Sequence, residues 1–191
     1  MDFNGVCIAG LVVSGVATIV FFGANHRFRE AVDQAIAPMK VPERRWRGYS
    51  AQDLADFKRV GLERPTTFGK SALDVYRDRV LVLDLGFAVA LGFFSLLSWV
   101  VAVQQIGSPL VSSFAMFGGM AGFIYGCSDV GEDFMLRMLL RPERIVLDDD
   151  ARRATALTWL KFAMIGISIV GAAVFGMLTL VFGAMPSDAK S

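Results

Sequence analysis

Phe117-Gly-Gly-Met-Ala-Gly-Phe-Ile-Tyr-Gly-Cys-Ser-Asp-Val-Gly-Glu-Asp133 is the stretch that decides the fold. It starts as part of a glycine-rich apolar run and then places three carboxylates within five residues, before an apolar helical pattern resumes up to Leu140. At about 100° per residue, Tyr125, Asp129 and Glu132 fall on one helical stripe, with Asp133 about 40° from Asp129. Gly118, Gly122 and Gly126 lie on the same side. Glycines spaced by four let a neighbouring helix approach closely. The acidic face is therefore expected to look into protein and not into lipid.

Working outward, the composition supports a membrane setting. The chain has 191 residues, is 54% hydrophobic and has a mean hydropathy of +0.52. Globular chains are about 45–50% apolar by a more generous count that includes glycine. A membrane-spanning helix needs about 20 mostly apolar residues, and four segments qualify: Gly5–Gly23, Val80–Val103, Leu110–Ser128 and Ala156–Ala184. The predicted fold class is an all-α integral membrane protein, a single four-helix domain with a helical belt over residues 24–79. No basic region precedes the first span, so no cleavable signal peptide is expected.

The formal net charge of +1 is uninformative, but its distribution sets an orientation. Arginines and lysines crowd the connections between spans one and two and between spans three and four, whereas Gln104–Pro109 carries no charge. By the positive-inside rule both long connections are expected inside, and both termini outside. Cys7 and Cys127 would then sit near opposite faces of the membrane, too far apart to pair.

Within the belt, Asn25 is a candidate cap for a short helix with Phe28, Val32 and Ile36 on one face, ended by Pro38. Such a stripe would lie on the bilayer surface or under the bundle. Next, Arg44, Arg45, Trp46 and Arg47 combine cations with an interfacial aromatic. They are candidates for contact with lipid headgroups, anionic ones included, with plain positive-inside anchoring as the simpler alternative. Acids at Glu43, Asp53 and Asp56 interrupt this basic run, which argues against nucleic acid as a partner. Ser50 and Asp53 have the spacing of a capping box, for a helix from Ala51 to Val60 that Gly61 would stop. Ser71 caps a further helix running from Ala72 straight into span two.

Twenty residues of each span would place Asp84, Asp129, Glu132, Asp133 and Lys161 at one depth, the inner membrane edge. Tyr125 joins them from one turn above. Ionised groups there need partners, so Lys161, helped by Arg79 or Arg137, is expected to neutralise part of the acid. Two readings stay open: a clasp that locks the helices together, and a site that handles protons, ions or headgroups. Asp148-Asp-Asp150 is read as capping a helix, with ion pairs to Arg152 and Arg153, and no metal ion or cofactor is expected.

At these residues the chain resembles a group of small four-span bacterial membrane proteins without an assigned activity. The group pattern is Asp-x-x-Phe, Asp-x-x-Glu-Asn and Leu-Thr-x-Leu-Lys; here it reads Asp84-Leu-Gly-Phe87, Asp129-Val-Gly-Glu-Asp133 and Leu157-Thr-Trp-Leu-Lys161. Asp133 departs from it by adding a negative charge. The resemblance implies a four-span fold in a bacterial inner membrane, and it groups the same polar residues.

There is no nucleophile elbow, phosphate loop or metal-ligand pair, and His26 is the single histidine. Catalysis is not expected. The expected role is a non-catalytic accessory, scaffold or assembly subunit, with other membrane subunits or further copies of itself as partners. The alternative is a small proton- or ion-coupled transporter or channel-like protein that uses the carboxylates.

Overall fold

The computed structural model describes residues 3–45, 47–104 and 109–183. It is all-helical; the described residues form no strand beyond an isolated bridge between Pro65 and Ser71. Helix α1 (Phe3–Ile36) leads through a short 3-10 turn (Pro42–Arg44) to α2 (Ala51–Glu63). Then α3 (Ala72–Val75) passes through a π-helical turn (Tyr76–Val80) into α4 (Leu81–Gln104), followed by α5 (Pro109–Leu139) and α6 (Asp148–Gly183). The long helices pack in a simple order, α5 between α4 and α6, and α1 on the other side of α4.

Three helical stretches are long and apolar enough to cross a membrane: Phe3–Ile36, Ala72–Val103 and Asp148–Gly171. The expectation was four. The fourth, the run expected over Leu110–Ser128, lies in α5 and is not among the three found in the described residues. At 31 residues its length is ample for a crossing. The apolar side chains that α1 leaves exposed, such as Val13, Ile19 and Val20, suit a lipid environment.

Asn25 was expected to start a helix of its own. Instead α1 runs unbroken from Phe3 to Ile36, and Asn25 is buried in its middle. No proline interrupts that stretch. Val32 and Ile36 are buried under the bundle in an apolar core with Leu54, Phe57, Leu73 and Tyr76, so that stripe serves packing and not the bilayer surface. Edge-to-face contact of Phe57 with Tyr76, ring centres 5.0 Å apart, ties α2 to the foot of the α3–α4 rod.

Ser50 caps α2 as expected: its hydroxyl accepts from the Asp53 amide at 3.1 Å, and the Ser50 amide donates back to Asp53 Oδ2 at 2.9 Å. That amide, ahead of the hydroxyl and the Arg45 guanidinium, holds the Asp53 carboxyl below the usual carboxylate range. Gly61 does not stop the helix, which continues to Glu63. Its role is contact: a Cβ there would lie 3.2 Å from the Leu73 Cβ and backbone N. Gly48, at φ +83°, is the position where the belt presses on α6, and any Cβ there would collide with Thr155. Across this contact the Tyr49 amide donates to Thr155 Oγ1 at 3.1 Å, and the same hydroxyl donates to the Tyr49 carbonyl at 3.0 Å.

Gly48→Ala should therefore lower stability by about 1–3 kcal/mol, the usual cost of a left-handed non-glycine residue, with the collision added. Gly69→Ala shares a positive φ of 71° but meets open space, and should cost less. Thermal unfolding of the two variants in one detergent compares them directly.

Candidate functional site

Four residues of α5 recur at near-integral turns: Tyr125, Asp129, Glu132 and Asp133. They converge on side chains from α4 and α6, from α1 on the far side of α4, and from the belt. Asp129, Glu132 and Asp133 are buried, as are Asp84 of α4 and Lys161 of α6. The stripe therefore does look into protein. Close approach is possible because the glycines on that side face α4: a Cβ at Gly118 would run into Trp99, one at Gly122 into Ser95, and one at Gly126 would lie 3.2 Å from the Gly92 Cα.

Lys161 is the hub. Its Nζ lies 2.7 Å from Asp129 Oδ1 and 2.6 Å from Glu132 Oε2. The other oxygens of these acids are also engaged. Tyr125 OH donates to Asp129 Oδ2 at 3.1 Å, while Glu132 Oε1 accepts from Thr158 Oγ1 at 2.5 Å and from Tyr49 OH at 3.3 Å. Burial, then the neighbouring Glu132 charge, raises the Tyr49 phenol above its ordinary value, so it remains a donor. Asp84 is held from α1, where Asn25 Nδ2 donates at 2.7 Å and Arg29 Nη2 at 3.3 Å to the same Oδ1.

Arg79 and Arg137, expected to assist Lys161, are exposed, and the second cation is Arg29. Asn25, Arg29 and Tyr49 join the site unexpectedly, as does Thr158, which stands in the Leu157–Lys161 motif without having been expected at the site. Two weak signals existed: Asn25 and Arg29 are one helical turn apart, and Thr158 lies three residues before Lys161. Tyr49 gave none, since its approach depends on how the belt folds back.

Asp84, Asp129 and Asp133 bring carboxylate oxygens to within 4.8 Å of one another. Such an oxygen set suits a hard cation. Lys161 and Arg29 already supply positive charge to Asp129 and Asp84, so a metal ion would compete with the protein's own cations.

The basic belt is also engaged within the chain. Arg44 pairs with Asp33 at 2.9 Å, Arg45 pairs with Asp53, Arg47 is exposed, and Trp46 lies outside the described residues. His26 stacks on Phe22 with ring centres 6.3 Å apart.

No protein-family model matches the chain, and neither a curated protein nor a solved structure is significantly similar to it.

Removing one partner of a buried ion pair typically costs about 3–5 kcal/mol, because the other charge is stranded. Lys161→Met should lose stability on that scale in detergent unfolding, while Lys70→Met, at an exposed position, should melt with the parent protein.

Proposed function

We propose that the chain is a four-span inner-membrane protein, with both termini outside and the belt inside, that acts as a non-catalytic accessory, scaffold or assembly subunit. The loop charges support this orientation, and the length of α5 supports a fourth crossing.

The observation that carries the functional reading is how the buried groups are used. Asp129 and Glu132 share Lys161, Glu132 also takes Thr158 and Tyr49, and Asp84 takes Asn25 and Arg29. These bonds tie α1 to α4, and α5 to α6 and the belt. A transport cycle would have to open them repeatedly, against the cost of stranding buried charge. The cluster is better suited to holding a rigid frame whose outer surface does the work.

That surface includes Ile145 and Leu147, 81% and 60% exposed on the connection between α5 and α6. In the proposed topology this connection is cytoplasmic, where lipid tails cannot cover it. Adjacent exposed apolar residues there suit a protein partner.

A second reading has one observation in its favour. A mostly apolar cleft of about 360 Å³ between α4, α5 and α6 includes Ser95, Ser98, Ser168 and Tyr125 in its lining, and Tyr125 donates to Asp129. These few hydroxyls, with Tyr125 bonded to Asp129, are the polar groups that a proton- or ion-coupled function could use in this otherwise apolar cleft.

Purification in mild detergent separates the two readings. The subunit reading expects a stoichiometric partner that Ile145→Ser/Leu147→Ser releases and Asp129→Asn retains. A protein that purifies alone, and in vesicles carries a proton or cation flux abolished by Asp129→Asn, would replace it with the second.

A further inference from the structure

We infer that a cleft at the inner end of α5 binds the phosphodiester headgroup of an anionic phospholipid. The cleft, about 490 Å³, is lined by Arg77, Asp78, Phe134, Arg137, Arg141 and Glu143 among others. It is separate from the buried cluster, and from the basic belt around Arg44, whose guanidinium is paired with Asp33.

The first support is the state of its guanidiniums. Arg77 is held by Asp78 at 2.9 Å and Asp74 at 3.3 Å, which fixes one wall. Arg137 and Arg141, one turn apart, are both exposed, and no carboxylate among the described residues lies within ion-pairing distance of either. Arginines near a helix C-terminus can hydrogen-bond the carbonyls there. In the connection beyond α5, which ends at Leu139, Lys58 donates to the carbonyls of Arg141 at 2.7 Å and Arg144 at 2.6 Å, so the turn is held without either arginine. Burial among these carbonyls lowers the Lys58 pKa, the direction expected for a desolvated amine. The two arginines remain available to an external anion.

The second support is charge. Three arginines against Asp78 and Glu143 leave the lining at a formal +1, and a phosphodiester carries one negative charge. A planar guanidinium also matches phosphate oxygens in pairs.

The third support is depth. Phe134, 62% exposed, precedes Arg137 by one turn and follows the buried Asp133 directly, so the cleft has an apolar upper rim and a cationic lower one. In the proposed topology that boundary coincides with the inner headgroup layer. A soluble anion needs no apolar rim; a lipid uses both.

The test is native mass spectrometry of the full chain released from nanodiscs made of equal parts phosphatidylglycerol and phosphatidylcholine. The parent protein should retain phosphatidylglycerol preferentially. Each arginine near an anionic surface contributes on the order of a fivefold change, so Arg137→Gln/Arg141→Gln should retain about thirtyfold less and either single variant about fivefold less. Arg59→Gln, exposed on α2, should change nothing. Circular dichroism of each variant checks that the helices remain. Equal retention of the two lipids, or undiminished phosphatidylglycerol on the folded double variant, overturns the inference. Displacement of the lipid by inorganic phosphate at comparable concentration also overturns it, and assigns the cleft to a soluble anion.

Discussion

A lysine ammonium held between two carboxylates, Lys161 between Asp129 and Glu132, is the constraint on which the rest of the structure depends. Isolated charges in a low-dielectric interior cost several kcal/mol each, so α5 and α6 must present these residues to one another at one height and one rotation. Once α5 is rotated that way, its glycines necessarily face α4. A larger residue at Gly122 would meet the Ser95 Cβ and push α4 away, with Asp84, and one at Gly118 would displace the Trp99 ring. Arg29 and Asn25 then bind α1 to Asp84, and Tyr49 brings the belt to the free side of Glu132. One ion-paired centre therefore sets the rotation of four helices and the position of the connection that closes them from below.

The inner end of the bundle is built differently from its shaft. Along the shaft, small residues and glycines allow close helix contact, and α1 turns apolar side chains outward. Below the ionic centre, Val32, Ile36, Leu54, Phe57, Leu73, Tyr76 and Leu136 form a water-excluding apolar core of ordinary soluble type. Burial of such side chains stabilises by about 1.5–3 kcal/mol each on an upper-bound scale. The belt is thus held by hydrophobic packing, and the helices above it by the ionic centre and close backbone approach.

Much of this was legible in the sequence, wherever the signal was local and periodic. The stripe from Tyr125 to Asp133, the Ser50–Asp53 cap, the start of a helix at Ala72 and the pairing of Lys161 with the α5 acids follow from spacing and from the cost of buried charge. The misreadings came where local signals were overridden by tertiary contact. Asn25 looks like a cap but is a buried donor to Asp84; Gly61 looks like a stop but accommodates Leu73. Arg79 and Arg137 were nearer to the acids in sequence than Arg29, yet the helix packing brings Arg29 to Asp84 and leaves both others exposed. No periodicity could reveal Tyr49, because its contact with Glu132 spans 83 residues.

The central claim is that Lys161 and Glu132 act as one unit, and a double-mutant cycle tests it most directly. Lys161→Met and Glu132→Gln, measured alone and together by equilibrium unfolding in the same detergent, give the coupling free energy. The account predicts that the double variant is less destabilised than the sum of the singles by about 0.5–3 kcal/mol, because removing both partners no longer strands the Glu132 charge. Additivity within about 0.5 kcal/mol would contradict it, since two residues whose effects simply add do not form the centre on which the bundle depends.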